Sequence, residues 1–255
     1  MENVILAILQ ARLSSSRLPG KVLKSILGKP MLLHQIERLQ YSKIIDKLVV
    51  ATSDDASDDA IEQMCLDNNI EVFRGSLNNV LDRYYQCAKQ YNPDYIVRLT
   101  GDCPLADYQV VDGTIQYCLD EGLDYAVTSL KFPDGLDAEI MTMSALEQAH
   151  QCATLPSELE HVSQYIQKNK IFKIGRFKFN RDLSHLRWTV DEPEDFVLVE
   201  KIYQALYEKN PLFSTGDILN LLQKQPELTK INNSIIRNEG LEKSLQEDKV
   251  FLKNV

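Results

Sequence analysis

The chain contains no Walker phosphate loop: nothing in it satisfies G-x-x-x-x-G-K-[ST]. The G-x-G-x-x-G fingerprint is missing as well, which disfavours a Rossmann dinucleotide enzyme. Its cysteines (Cys65, Cys87, Cys103, Cys118 and Cys152) are scattered and odd in number, and none forms a C-x-x-C pair. The histidines show no zinc-ligand spacing either, which disfavours a structural zinc. Scattered thiols point to a reduced, cytoplasmic compartment. Long apolar runs are lacking: Val4–Leu9 is far too short to span a bilayer, and no cationic segment precedes it as in a signal peptide. No membrane insertion is therefore expected. There is no basic excess, with 28 Lys and Arg against 37 Asp and Glu for a formal charge of −9. That argues against broad nucleic-acid binding, which needs a basic surface to neutralise phosphates. A small anionic ligand needs only a local cationic pocket, and cations cluster near the N-terminus.

What is present reads as an α/β protein. At 255 residues, 44% of them hydrophobic and 25% charged, the chain fits one large domain or one domain with a modest appendage. Val4–Leu9 reads as a strand buried on both faces, the mark of a parallel sheet. Pro30 opens a helical pattern with Leu32, Ile36 and Leu39 on one face. Further strands are expected at Leu48–Ala51, Val72–Phe73 and Tyr95–Leu99, and helices at Asp58–Asn68, Val80–Tyr91 and Val110–Leu119. Such alternation implies right-handed crossovers and a mostly parallel sheet covered by helices on both faces. After a Pro133-Asp134-Gly135 turn, Leu136–Met143 is expected as a strand leading into a helix from Ser144. Glu158–Lys168 is expected as one helix, Lys173–Phe179 and Leu186–Val190 as strands, and Pro193 as the start of a clear helix. The main domain is placed at 1–225 and a helical tail at 226–255.

Ligands of open α/β sheets bind beyond the carboxyl ends of the strands. Three segments there carry chemistry. The first is Ala11-Arg12-Leu13-Ser14-Ser15-Ser16-Arg17-Leu18-Pro19-Gly20-Lys21, with three cations, three hydroxyls and a Pro-Gly turn directly after the first strand. A triphosphate needs such a loop of free N–H groups, hydroxyl donors and fixed positive charge. A plain solvated loop has the same composition, and placement favours the phosphate reading. The second is Arg98-Leu99-Thr100-Gly101-Asp102-Cys103-Pro104, an acid on a glycine turn that suits a magnesium ion held against phosphates. The third is Trp188-Thr189-Val190-Asp191-Glu192-Pro193, where Asp191 either joins Asp102 or simply caps the following helix.

With these in place the chain resembles the cytidylyltransferases that activate sugars as CMP conjugates. It is most similar to the spore coat polysaccharide (SpsF) type, and more distantly to the 3-deoxy-manno-octulosonate and acylneuraminate cytidylyltransferases. Phe73-Arg74-Gly75-Ser76, Asp82-Arg83-Tyr84, Pro133 to Glu139, Glu160-His161-Val162 and Arg237-Asn238-Glu239-Gly240 match in order. The resemblance implies a three-layer α/β/α fold of the nucleotide-diphospho-sugar transferase kind and transfer of CMP from CTP to a sugar or sugar-acid acceptor. It implies that Arg12 and Lys21 bind the CTP phosphates within a loop shaped by Ala11, Ser14, Ser16 and Arg17. Thr100 and Gly101 would adjoin the nucleotide, Asp102 and Asp191 would hold Mg²⁺, and Ser76, Asp82 and Arg83 would lie by base and ribose. Asp137, Glu139 and His161 would face the acceptor, and a homodimer is the expected assembly. Relatives that transfer other nucleotides carry glycines where this chain has Gln10-Ala11-Arg12, which favours CTP. The competing readings are a glycosyltransferase consuming a nucleotide sugar and a silent nucleotide-binding module.

Overall fold

The first apolar run is buried because it sits in the middle of a sheet. A computed structural model describes residues 3–237 and 239–254, so Asn238 of the Arg237–Gly240 run lies outside the described residues. β1 (Ile5–Gln10) is flanked in parallel by β4 (Lys47–Ser53) and β6 (Tyr95–Thr100). Beyond β4 lies β5 (Glu71–Gly75), again parallel. On the other side the pairing reverses: β8 (Glu139–Thr142) runs antiparallel to β6 and to β7 (Tyr125–Thr128), and β9 (Ile174–Phe177) closes the edge parallel to β7. The order is β5-β4-β1-β6-β8-β7-β9. A small antiparallel hairpin of β2 (Ser25–Ile26) and β3 (Lys29–Pro30) stands apart from it.

Alternation along β1 divides the core. Leu6 and Ile8 pack against α3 (Val80–Tyr91), α5 (Met143–Cys152) and α7 (Gln164–Lys168). Ala7 and Leu9 face α1 (Met31–Leu39), α2 (Asp59–Asp67), α4 (Tyr108–Asp120), α8 (Pro193–Leu206) and α9 (Thr215–Lys224). The architecture is a three-layer α/β/α sandwich around a mostly parallel sheet. Among the described residues, no helix is long and apolar enough to cross a membrane.

Two local expectations fail, and two elements were not expected. Leu186–Val190 is no strand: the Trp188 and Thr189 amides donate to the Asp134 carbonyl (2.6 and 3.0 Å) and Val190 to that of Asp102 (2.7 Å). This close approach is why Gly135 is glycine. Its φ is +102°, and a Cβ there would run into the Trp188–Thr189 backbone. Glu158–Lys168 is two short helices, α6 (Pro156–Glu160) and α7, broken where Val162 takes φ +55°. β7 and α9 have no counterpart among the expected elements, β7 being only four residues long.

The segment after 225 folds back onto the body. Asn232 is buried and donates to the Arg187 carbonyl and to Asp195 Oδ1. α10 (Glu239–Asn254) packs on α6, where Asp248 accepts from the Ser157 amide (2.8 Å) and hydroxyl (2.6 Å).

Candidate active site

The loop after β1 is closed by its own backbone. The Ser15 and Gly20 amides both donate to the Leu13 carbonyl, and Gly20 takes φ +69° to make the turn. Buried Asp58, from the turn before α2, accepts from the Leu13 amide (2.7 Å) and pins the loop to the neighbouring strand end. Across β1, the Gly101 amide donates to the Gln10 carbonyl (2.8 Å). A Cβ on Gly101 would stand 3.1 Å from both that carbonyl and Ala11 Cβ, so glycine permits the contact.

These anchors bring the distant charges together. Lys21 Nζ lies 2.8 Å from Asp191 Oδ1, 2.7 Å from the Val190 carbonyl and 3.6 Å from Asp102 Oδ2. Arg17 reaches Asp191 Oδ1 (3.0 Å), Glu192 Oε1 (3.5 Å) and Glu239 Oε2 (2.9 Å), and Arg12 reaches Glu160 Oε1 (2.9 Å). Burial alone would lower the Lys21 pKa, but Asp102 and Asp191 outweigh it and raise it. Burial would raise Asp191, yet Lys21, Arg17 and Arg187 hold it below its ordinary value. All three cations and both acids therefore share one sheet edge.

A cleft of about 1330 Å³ opens over this edge. Ala11, Arg12, Ser14, Ser16, Arg17, Lys21, Arg83, Thr100, Gly101, Asp102 and Asp191 line it. Ser76 and Asp82 are not on its walls: Ser76 Oγ accepts from the Asn79 amide, and Asp82 Oδ1 is 2.9 Å from His150 on α5. A second cavity of about 340 Å³ adjoins it and takes in Asp137, Glu139 and His161. The two share Arg17, Arg98, Thr100, Asp102, His161, Asp191, Glu239 and Gly240.

The smaller cavity is built from paired charges. Arg98 and Glu139 are cross-strand neighbours on β6 and β8 with Nη1–Oε1 at 2.5 Å, and Tyr125 donates to Glu139 Oε2. Asp137 accepts from the Gly135 amide and from Arg237 Nη2 (2.8 Å). Burial, with Asp137 nearby, pushes Asp134 up to about 6 against Arg237 and Arg187. His161 Nε2 is 3.0 Å from Ser244 Oγ on α10, and burial with Arg98 nearby pushes its pKa down to about 4. Stability gained by burying neutral His161 is thus full above its ordinary 6.5 and is lost as pH falls towards about 4. His161→Asn should flatten that part of the profile when urea unfolding is followed from neutral to acid pH. An unchanged slope would rule out His161 as its source.

Arg187 escaped the sequence reading. It donates to Asp195 (Nε to Oδ1, 2.9 Å), Asp134 (Nη1, 2.7 Å) and Asp191 (Nη2, 3.0 Å). It thereby fixes the Asp191 oxygen that Lys21 leaves free. Lys243 and Ser244 on α10 were missed too, and together with Glu239, which the sequence named only within the Arg237–Gly240 match, they wall the larger cleft.

A cytidylyltransferase family model matches residues 6–229. The chain belongs to the cytidylyltransferase family. It is 34% identical to the spore coat polysaccharide biosynthesis protein SpsF of Bacillus subtilis, over 88% of this chain and 96% of that protein. An uncharacterised protein of Methanocaldococcus jannaschii is 36% identical over 91% of this chain and 95% of its own. A solved cytidylyltransferase from Leptospira borgpetersenii superposes with a TM-score of 0.83 at 34% identity, covering 90% of this chain and 97% of that one. This cytidylyltransferase is a CTP-dependent nucleotidyltransferase, and enzymes of this kind use a divalent metal. Among the described residues no cluster of three or more His, Cys, Asp or Glu could hold a metal by itself. Two carboxylates converging on Lys21 nonetheless fit a hard cation whose remaining ligands are phosphate oxygens and water.

Proposed function

We propose that this cytidylyltransferase transfers CMP from CTP to a hydroxyl or phosphate oxygen of a sugar-type acceptor and releases pyrophosphate. The observation that carries the reading is the meeting of two cavities at Asp102 and Asp191, one walled by the cationic loop and the other by paired polar groups. CTP would occupy the larger and the acceptor the smaller. Asp102 and Asp191 would hold Mg²⁺, which supplies positive charge to the reacting phosphate oxygens. Arg12, Arg17 and Lys21 would take the triphosphate in exchange for the carboxylates they hold here. Catalysis is then positioning and charge stabilisation, as in phosphoryl transfer generally. Cys103 takes no part: burial and Asp102 raise its thiol well above the ordinary value, so it stays protonated and unreactive.

The spore coat polysaccharide role in the name of the Bacillus subtilis relative supports a part in supplying surface polysaccharide. A cytoplasmic location fits the use of CTP and the scattered free thiols, and a homodimer fits the family resemblance. The test is incubation with CTP, Mg²⁺ and a panel of sugar acids and sugar phosphates, with products read by mass and by pyrophosphate. A CMP conjugate is expected. Release of a nucleoside diphosphate from a nucleotide sugar would make the protein a glycosyltransferase, and CTP binding without turnover on any acceptor would make it a silent module. Lys21→Ala should weaken CTP binding about ten- to a hundredfold, the worth of one charge-assisted contact in a desolvated site. Unchanged affinity in a titration would remove the loop from the phosphate site.

A further inference from the structure

The guanidinium of Arg17 is crowded with carboxylates. Nη2 meets Asp191 Oδ1 (3.0 Å), Nε meets Glu192 Oε1 (3.5 Å) and Nη1 meets Glu239 Oε2 (2.9 Å). One positive charge thus faces three negative ones, and each of its nitrogens has a carboxylate beside it. A phosphate oxygen can reach this side chain only by displacing one of them, because a fourth anion would meet net repulsion.

Which carboxylate gives way follows from how each is held. Asp191 is also gripped by Lys21 (2.8 Å) and Arg187 (3.0 Å). The Glu239 side chain is 64% exposed, against 18% for Asp191 and 26% for Glu192. Among the described residues Arg17 is the one ion-pair partner of Glu239. A pair so open to water contributes little stability, so Glu239 is the partner that leaves. The helix it begins does not depend on it. Buried Ser244 and Asp248 hold α10 to the α6 segment, through His161 Nε2 (3.0 Å) and through the Ser157 amide and hydroxyl.

The charge of the helix points the same way. Glu239, Glu242, Lys243, Gln246 and Glu247 line the cleft at i, i+3, i+4, i+7 and i+8, one stripe with three acids to a single base. A wall built only to receive a triphosphate would carry the opposite balance. α10 also lies beyond residues 6–229, where the family model matches.

We propose that α10 is an autoinhibitory strap, in which the Glu239 carboxylate occupies the place on Arg17 Nη1 that a CTP phosphate oxygen must take. In the free protein the strap is closed and the loop cation is neutralised. CTP opens it by competing for the same nitrogen. The affinity for CTP is then below that of the bare loop by the fraction of protein whose strap is open. The inference rests on the loop as the triphosphate site and needs neither the acceptor nor the metal.

Calorimetric titration of the full-length protein with CTP and Mg²⁺ tests it. E239Q keeps the side chain's size and removes its charge. It should bind CTP about two- to fivefold more tightly than wild type, the worth of one exposed ion pair released, and added salt should shrink the gain. R17M should weaken binding, and adding E239Q to R17M should bring no gain, because the contested cation has gone. E239Q should melt close to wild type, since the buried anchors of α10 are intact. An E239Q protein that binds CTP no more tightly than wild type overturns the strap. So does a gain that persists in full in the R17M background, which would mark a general loss of negative charge and not competition for Arg17. Absence of CTP binding to wild type and E239Q alike would instead sink the loop as the triphosphate site, and the strap with it.

Discussion

Asp102→Ala should lower CMP transfer by about a thousandfold or more while leaving the fold intact. The first half follows from position: among the described residues Asp102 is one of two acids within 4 Å of Lys21 Nζ, at the junction of the two cavities. Removing a group that organises charge at a reacting centre typically costs about a hundred- to a thousandfold, and loss of a metal ligand more. The second half follows from how the residue is held. Its main-chain carbonyl, not its carboxylate, carries the structural load, accepting from the Val190 amide (2.7 Å) and from Thr189 Oγ1 (3.2 Å). The carboxylate itself meets Thr100 Oγ1 at 2.5 Å and Lys21. Two measurements decide the matter: pyrophosphate release with an active acceptor, and the tightening of CTP binding by Mg²⁺. Near-normal turnover, or an undiminished Mg²⁺ effect, would remove Asp102 from the site.

Arg187→Leu carries the largest expected cost in stability. The guanidinium holds Asp195, which is fully buried, together with Asp134 and Asp191. Asp195 in turn accepts from the Asp191 and Glu192 amides at the start of α8 and from Asn232. Removing one partner of a buried ion network strands the others, at about 3–5 kcal/mol. For a chain of this size that is a Tm lower by roughly 6–20 °C. Arg187→Leu combined with Asp195→Asn should recover part of the loss, because the stranded charge has gone. A single variant melting within a few degrees of wild type would show that the network contributes little. Activity should fall in either variant, since Asp191 loses the cation that fixes its second oxygen.

Much of the site was legible because its pieces are local. Pro19-Gly20 makes its turn wherever it is placed, and Gly101 and the Asp102 that follows it stand at a strand's carboxyl end by sequence alone. Period-2 and period-3.6 patterning located β1, β4, β6 and α3 to within a residue or two, as these elements bury one face or two along their whole length. Asp82 shows where that stops. It sits one residue from Arg83, yet the 100° turn of a helix sends it to His150 on the surface while Arg83 enters the cleft.

By itself the sequence determined which segments would be strands and helices, that they alternate, and which residues carry charge at the loop ends. Those follow from short-range sterics and from the periodicity of burial. The tertiary structure alone decided that Leu186–Val190 spends its amides on Asp134 and Asp102 rather than on a ladder. It alone closed the tail over the cleft through Glu239 and Ser244. The reason is that a hydrogen bond or ion pair across more than a hundred residues, such as Lys21 to Asp191, leaves no mark on the neighbours of either residue in the chain. It exists only once the whole sheet has brought its strand ends together.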